Sequence, residues 1–419
     1  MTELDGVRVQ WHDKGFWSPE GTTSAATFLA AGHNLFDGSF TWPVLTLRES
    51  ALRHNIGVLA EFTEQHNLLF APHGKTTMAP QLYDRQLAAG AWGITVATPN
   101  QALVLRSAGV ARILIANEIL DPIAIAWIAE QVAADDTMDV LFWVDSAAGV
   151  EAAIQGLASA ADGDPVDAFL PRGLAVLVDV GYEGGRTGCR TDDDAFAVAA
   201  AVSAAPGLRL AGVAGYEGGL GDVQTVQSYL RRLQGIANTL HERGQLADDG
   251  IVTCGGSAYF DLVAAIWADG WRSGFAPRRM LRSGAYVTHD DGVYVHKTPF
   301  NRIAGRLKAA IQVWAQVISA GDAGCVIVGM GKRDAPYDEG LPVPRVVRRR
   351  GADRIEELTG RSVEKMDDHH AYVVGGTALQ PGDLIGFGIS HPCTAFDKWQ
   401  LIPVVDDDYR VVDVVRTYF

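Results

Sequence analysis

The chain has 419 residues, of which 48% are hydrophobic, and its 35 basic and 50 acidic residues give a net charge of −15. This length and apolar content are typical of a soluble globular protein with one domain of about 250 residues and a smaller second one. The acidic balance argues against nucleic acid and anionic membranes as partners. A short basic cluster runs from Arg345 to Arg350, and its last three residues, Arg348-Arg349-Arg350, are interpreted as a solvated turn rather than a binding patch.

The cysteines and the N-terminus both favour a cytoplasmic protein. The four cysteines form no CxxC pair and are far apart, which indicates reduced thiols rather than a disulfide framework; they are Cys189, Cys254, Cys325 and Cys393. Met1 to Asp5 lacks the basic and apolar regions of a signal peptide. No apolar run approaches the ~18 residues that a membrane helix needs.

The central part of the chain alternates between apolar strand-like runs and alanine-rich helical runs. Residues 1–40 are expected to be a lead-in that packs on the C-terminal domain, and residues 42–47 are strand-like. Eight strands are then predicted: Leu68 to Lys75, Gly93 to Ala97, Arg112 to Asn117, Asp139 to Asp145, Leu174 to Gly181, Leu210 to Glu217, Gly250 to Gly255 and Met280 to Val287. Helical stretches follow the first seven. This pattern predicts a TIM-type (β/α)8 barrel over residues 41–295.

Beyond about residue 300 the pattern changes to strands without long helices. Six strands are predicted: Ala309 to Ile318, Cys325 to Gly329, Ala371 to Val374, Asp383 to Ile389, Leu401 to Asp406 and Tyr409 to Tyr418. Glycine and aspartate turns separate several of them. We therefore expect an all-β domain over residues 296–419.

The end of the first predicted strand carries the strongest candidate for catalysis. A barrel enzyme places its chemistry where strands end, and here His73 and Lys75 lie in the stretch from Ala71 to Thr77. A lysine in this position can form a Schiff base with an aldehyde cofactor, although most such lysines are solvated. Other polar strand ends are Asp145, Asp179, Tyr216 and Glu217.

Glycines at the ends of strands seven and eight indicate an anion site. Gly255 and Gly256 precede Ser257, which opens the predicted helix 258–268, so backbone N–H groups and a helix N-terminus face outward. Gly284 adds a second close backbone approach, near Tyr286. A tight turn with Ser257 as an N-cap is the alternative. A phosphate site together with Lys75 describes a pyridoxal phosphate pocket.

Several motifs resemble one branch of the alanine-racemase-type (fold type III) pyridoxal phosphate enzymes, the D-serine dehydratase and D-threonine aldolase branch. They are Pro72 to Thr76, Asp179 to Gly181 with Arg186 to Gly188, Gly382-Asp383, and His391 to Thr394. The resemblance covers about residues 40 to 419. It implies that the protein is a homodimer in which Lys75 holds the cofactor and removes the substrate's α-proton.

The same resemblance gives roles to other residues of the barrel. Arg186 is placed near the phenolic oxygen of the cofactor and His73 in the same pocket, and Tyr216 or Glu217 could face the pyridine ring. A salt bridge of Arg186 with Glu183 or Asp192 is the alternative. The sequence departs from the branch at Thr77-Met78 and in the segment from Arg345 to Lys365.

His391 and Cys393 form a candidate metal site. Imidazole and thiolate suit Zn²⁺, although two such residues alone are more often structural. The resemblance implies a Zn²⁺ or other divalent metal with open coordination positions for the substrate's β-hydroxyl. His369 and His370 are further candidates, and a solvated pair is an equally good interpretation.

The predicted function is dehydration of a D-3-hydroxy amino acid such as D-serine, giving a 2-keto acid and ammonia. Retro-aldol cleavage of the D-threonine aldolase type is the nearest alternative. The resemblance favours the dehydratase, because Cys393 and not a harder carboxylate follows His391 by two residues. A non-catalytic pyridoxal phosphate-binding protein is the alternative from another class.

Overall fold

The computed structural model describes residues 6–19, 21–321, 324–376 and 378–419. Met1 to Asp5, where sequence analysis found no signal peptide, lies outside these residues. Contacts divide the chain into two compact units. The barrel unit contains Ala60–Lys75 and Gln86–Gly284, and the sheet unit contains Met1–Leu59, Thr76–Arg85 and Ala285–Phe419. Within the described ranges, no helix is long and apolar enough to cross a membrane.

The described residues up to Gln65 form elements that belong mostly to the sheet unit. In chain order these are β1 (Arg8–Val9), β2 (Thr23–Ser24), α1 (Ala25–Ala30), β3 (Val44–Arg48) and α2 (Glu49–Gln65). Phe16, Phe28 and Phe40 contact one another through their rings. They share one hydrophobic core with Trp314 and Leu401, so the lead-in packs on C-terminal strands.

The next elements form the barrel. They are β4 (Leu69–Phe70), α3 (Pro80–Ala88), β5 (Ile94–Val96), α4 (Pro99–Ser107), β6 (Arg112–Glu118), α5 (Pro122–Ala134), β7 (Asp139–Val144), α6 (Ala147–Ala161), α7 (Val166–Phe169), β8 (Leu174–Val180), α8 (Asp192–Ala204), β9 (Leu208–Gly215), α9 (Val223–Glu242), β10 (Ile251–Cys254), α10 (Phe260–Ile266) and β11 (Arg278–Leu281). The eight strands pair in parallel in the order β4-β11-β10-β9-β8-β7-β6-β5. A bridge between His73 and Thr95 joins the two ends. The predicted (β/α)8 barrel is confirmed.

Burial and helix capping explain why the barrel could be predicted from local sequence. All seven residues of β8 are buried, as expected for a parallel strand covered on both faces. Inside the barrel, Leu114, Leu177 and Met280 belong to one apolar core. Thr191 begins α8 with a capping box, in which its side chain and that of Asp194 bond each other's backbone N–H.

The remaining elements complete the sheet unit. They are α11 (Val293–Lys297), β12 (Ile311–Ser319), β13 (Cys325–Val328), β14 (Val343–Arg348), β15 (Ile355–Glu357), β16 (Arg361–Met366), β17 (Ala371–Gly375), β18 (Leu384–Gly388), β19 (Leu401–Val405) and β20 (Val411–Arg416). These strands form one sheet, in which seven of them follow the order β15-β14-β18-β12-β13-β17-β16. β3 also belongs to this sheet and pairs with β12 and β19. The predicted C-terminal sheet is confirmed, with additional strands.

Two sequence expectations need correction. The strand at residues 44–48, assigned above to the barrel domain, pairs antiparallel with β12 and parallel with β19 in the other unit. Of the three arginines expected in a solvated turn, Arg348 instead ends the strand Val343–Arg348, which pairs with β18. Arg349 follows it and pairs with the buried carboxylate of Asp383 at 3.0 Å.

Candidate active site

Lys75 lies at the closing edge of the barrel. β4 ends at Phe70, earlier than predicted, and Lys75 lies in a short 3₁₀ turn, Gly74–Thr76. His73, two residues earlier, has an enclosed Nδ1 with no hydrogen-bond partner. Burial lowers the pKa of His73 well below its usual value, and the charges of Lys75, Arg282 and Arg186 lower it further. The imidazole is therefore neutral and has cations around it.

The loop after β8 holds Arg186 beside an aromatic ring. Its ends are joined by bonds from Cys189 N to Asp179 O (2.9 Å) and from Gly181 N to Cys189 O (3.0 Å). The Arg186 guanidinium carbon lies 4.8 Å from the centre of the Tyr216 ring. Asp192, one alternative partner considered for Arg186, pairs instead with Arg232 at 2.6 Å.

Three carboxylates lie at the ends of neighbouring strands β6, β7 and β8. Thr187 Oγ1 donates to Asp179 Oδ2 at 2.9 Å, and Gly188 N donates to Asp145 Oδ2 at 3.0 Å. Burial and the nearby Glu118 raise the pKa of Asp179 well above its usual value. Burial also raises the pKa of Glu118. Asp145 and Asp179 therefore bond the Arg186 loop to the barrel rim. The Glu118–Asp179 pair holds a proton more readily than exposed carboxylates do.

The glycine turn after β10 was expected to bind an anion, but its backbone N–H groups bond to a side chain of the protein. Glu217 is fully buried, and its carboxylate accepts from Gly255 N at 3.0 Å and from Gly256 N at 2.6 Å. The next helix begins at Phe260, and its N-cap is Tyr259, so Ser257 does not open a helix. Two of the amides assigned to the anion site thus donate to a protein carboxylate. Ser257 and Gly284 remain candidates.

Arg282, which sequence analysis did not select, lies at the end of β11. It is 5% exposed and donates to Thr253 Oγ1 and to Gly215 O, at 2.5 and 2.6 Å. The following residue, Ser283, donates to the Gly256 carbonyl at 3.1 Å. The available sequence signal was an arginine within the eighth predicted strand, directly before Ser283. Tyr286 is also buried and belongs to the sheet unit.

His391 and Cys393 lie close together in the sheet unit. Asp338 Oδ2 accepts from His391 Nδ1 at 2.8 Å, and Asp338 Oδ1 accepts from Thr394 Oγ1 at 2.8 Å. Cys393 first, and Asp338 second, raise the pKa of His391 to about 9 against the opposing effect of burial. The Cys393 sulfur lies 3.5 Å from Thr76 Oγ1.

The donor atoms of this loop fit a metal with open coordination positions. Imidazole and thiol are the ligand types that Zn²⁺ prefers. No group of three or more His, Cys, Asp or Glu that could hold a metal occurs in the part of the chain that the structure describes. His369 and His370 are exposed. His391 and Cys393 are thus the donors available, and other ligands must complete the site. Asp338 and Thr76 were missed because no local sequence signal relates them to His391 or Cys393.

The barrel residues fit an anionic aldehyde cofactor. Lys75 supplies the amine, while Arg186 and Arg282 supply positive charge near the enclosed nitrogen of His73. A (β/α)8 barrel with such a lysine at its closing edge, followed in sequence by a β sheet, defines a class of cofactor-dependent barrel enzymes.

Comparison with protein families identifies this class. Residues 47–277 match the family "Alanine racemase, N-terminal domain", and residues 310–405 match the "Putative serine dehydratase domain". The first match covers more than half of the chain. The chain therefore belongs to the alanine racemase N-terminal domain family, among the fold type III pyridoxal phosphate enzymes.

Similar proteins act on D-hydroxy amino acids, as their names state. A D-threonine aldolase from Arthrobacter sp is 28% identical over 257 residues, which are 59% of this chain and 61% of that enzyme. The structure of D-threonine aldolase from Filomicrobium marinum has a TM-score of 0.74 at 23% identity and covers 90% of this chain and 95% of its own. The structure of a histidine-to-alanine variant of D-threo-3-hydroxyaspartate dehydratase has a TM-score of 0.71 at 19% identity. The match covers 94% of this chain and 98% of the dehydratase chain.

Proposed function

We propose that the protein is a pyridoxal phosphate- and divalent-metal-dependent lyase. It eliminates the β-hydroxyl of D-3-hydroxy amino acids such as D-serine and yields a 2-oxo acid and ammonia. The observation that carries this proposal is Lys75 at the closing edge of the barrel, beside a neutral His73 with cations around it. Small D-amino acids as substrates, a cytoplasmic location and a homodimer belong to the same proposal.

The residues of the barrel site have different roles in this proposal. Pyridoxal phosphate, when bound, supplies an aldehyde for an amine and a ring that accepts electrons from the α-carbon. The Lys75 amine would hold the cofactor and, as a free amine, would take the α-proton of the substrate. Arg186 provides a guanidinium cation in the site. His73 stays neutral and adds no further charge to the site.

Leaving-group chemistry is assigned to the sheet unit. A divalent metal held by His391 Nε2 and Cys393 Sγ would act as a Lewis acid on the substrate hydroxyl. Asp338 occupies His391 Nδ1, which leaves Nε2 as the ligand atom. Thr76 follows Lys75 directly in the chain, and its hydroxyl lies 3.5 Å from the Cys393 sulfur.

The choice of elimination rests on Cys393. The similar dehydratase was also solved as a cysteine-to-alanine variant in a metal-free form. Its histidine and cysteine variants are two positions apart, the spacing of His391 and Cys393. A soft thiolate at this place supports dehydratase chemistry.

Retro-aldol cleavage is the second candidate, and the 28% identity with D-threonine aldolase favours it. Incubation with D-threonine distinguishes the two. Elimination yields 2-oxobutanoate and ammonia, whereas cleavage yields glycine and acetaldehyde. The second pair of products would replace the proposed reaction with the aldolase one. L-threonine serves as the stereochemical control.

The role of Lys75 is tested by the visible absorbance of the lysine-bound cofactor. We expect this absorbance in the wild-type protein and in the control Lys365→Ala, whose side chain is exposed. Lys75→Ala should lose it together with all turnover. Absorbance that persists in Lys75→Ala refutes the assignment. Absorbance in the wild type without turnover of any D-3-hydroxy amino acid indicates a binding protein.

A further inference from the structure

Asp338 bonds to both sides of the turn that contains Cys393. One carboxylate oxygen accepts from His391 Nδ1, and the other accepts from Thr394 Oγ1, both at 2.8 Å. His391 directly precedes a 3₁₀ turn, Pro392–Thr394, which has Cys393 at its centre and Thr394 as its last residue. A single side chain, 53 residues away in sequence from His391, therefore fixes the turn from both ends.

The bond to Nδ1 also fixes the tautomer of His391. A carboxylate only accepts hydrogen bonds, so Nδ1 carries the hydrogen and a neutral ring presents the Nε2 lone pair. The His391 side chain is 19% exposed, and its ring lies 6.4 Å from that of Tyr294. In metal sites, a carboxylate in this position orients the imidazole and makes it a better ligand.

We propose that Asp338 is the positioning residue of the metal site, holding His391 and the Cys393 turn in the geometry that binds a divalent cation. This inference rests on the metal site of the proposed function and adds a residue to it. We assign Asp338 to positioning, because one of its oxygens bonds to His391 and the other to Thr394.

Metal affinity is the direct measure of this role. Protein is freed of metal with a chelator, and Zn²⁺ binding is followed by competition with a chromophoric chelator. Asp338→Asn should weaken Zn²⁺ binding by roughly 10–100-fold, the loss typical when such an outer carboxylate is removed. Thr394→Val, which frees one oxygen of Asp338, should weaken it by a smaller factor. Asp353→Asn is the matched control, because Asp353 is an exposed aspartate of the same unit.

Co²⁺ provides a readout that separates positioning from ligation. Its visible spectrum reports the ligand set, and a thiolate ligand adds a charge-transfer band. Asp338→Asn should give the wild-type spectrum at saturating Co²⁺, whereas His391→Ala and Cys393→Ala should change it or abolish binding. Metal-free Asp338→Asn should also melt within a few degrees of the metal-free wild type, which excludes general unfolding as the cause of weak binding.

Three results would overturn the inference. They are unchanged Zn²⁺ affinity in Asp338→Asn, a Co²⁺ spectrum altered as in the ligand variants, or a wild-type protein that binds neither metal. None of them affects the cofactor absorbance due to Lys75. Loss of that absorbance in the wild type would instead refute the proposed pyridoxal phosphate chemistry and leave the metal measurement standing.

Discussion

At the scale of single residues, Glu217 stabilises the glycine turn at the end of β10. Its buried carboxylate accepts from two backbone N–H groups and from the Cys254 thiol at 2.9 Å. Glu217→Gln keeps the shape but replaces one acceptor oxygen with an NH₂ group that faces donors. Hydrogen bonds to charged groups contribute about 1.5–3 kcal/mol each, so we expect a loss of stability of about 2–3 kcal/mol in urea unfolding.

The exposed Glu183→Gln is the control for Glu217→Gln and should unfold as the wild type does. The Gln substitution should also increase the amide hydrogen exchange of Gly255 and Gly256, because their acceptor is weakened. A variant as stable as the wild type would show that the turn does not depend on this carboxylate.

Asp290 gives a pH-dependent prediction. Burial raises its pKa to about 6, although Gly292 N and Tyr294 N donate to Oδ1 and His391 opposes the shift. Oδ2 is buried without a partner. The folded state therefore binds the proton more tightly than the unfolded state. The resulting stabilisation is complete below about pH 4 and is lost as the pH rises through about 6.

Asp290→Asn should remove this loss, because the neutral amide keeps an oxygen for the backbone N–H groups. We expect the variant to gain about 1–3 kcal/mol over the wild type at about pH 7.5 and nothing at about pH 4. Thermal unfolding at both pH values measures the difference. Burial lowers the pKa of His289 to about 4. Because both proteins contain this histidine, its contribution to stability cancels in the difference between them. Parallel pH profiles would refute the shift.

At the scale of elements, Arg190 stabilises the loop that carries Arg186. Its guanidinium donates to the carbonyls of Thr187 and Arg186 at 2.7 and 2.8 Å, and to those of Gly185 and Gly188 at 3.2 and 3.1 Å. Arg190→Met should lower the opening free energy of the loop by about 1–2 kcal/mol, since these bonds are exposed. Amide exchange over residues 181–189 should then accelerate by about 5–30-fold.

Arg190→Lys keeps one donor group and should fall between the wild type and the Met variant. Arg231→Met, on the exposed side of α9, is the matched control and should leave exchange in the loop unchanged. If Arg190→Met also leaves it unchanged, the loop is fixed by Asp145 and Asp179 alone.

Strands that are buried on both faces were predicted from the sequence, whereas strands that are buried on one face were predicted incompletely. β8 was predictable because all its residues except Asp179 are apolar, and the structure buries every one of them. β14 buries only Pro344 and Val347 and contains two arginines, so it was not predicted as a strand, and its last residue, Arg348, was assigned to a solvated turn. The same limit applies to Glu217, whose partners Gly255 and Gly256 follow a different strand. Its position at a strand end was predictable, but its hydrogen bonds were not.

At the scale of the whole molecule, the order of strands in the sequence does not determine their assignment to units. The barrel was predictable because each of its strands pairs with strands that follow the same apolar pattern in sequence. β3 has this pattern too, and nothing local distinguishes it from a barrel strand. Its pairing with β12 and β19, more than 250 residues later, is a long-range choice that only the complete sheet decides.

This choice predicts that residues 296–419 do not fold alone. In that fragment β12 and β19 lose the strand between them. Val44, Leu45 and Leu47 are fully buried, and burying each such side chain contributes about 1.5–3 kcal/mol. Their sum is comparable with the whole stability of a typical domain, about 5–15 kcal/mol. The lead-in aromatics Phe16, Phe28 and Phe40 are lost as well.

We therefore expect the fragment 296–419 to show no cooperative thermal transition by circular dichroism. Addition of a second fragment, residues 1–59, should restore a transition, because it returns β3 and the aromatic cluster to the sheet. A Leu45→Asp version of this second fragment is the control, since a charge at this buried position should prevent pairing. Cooperative unfolding of residues 296–419 alone would show that β3 only covers a sheet that is already stable.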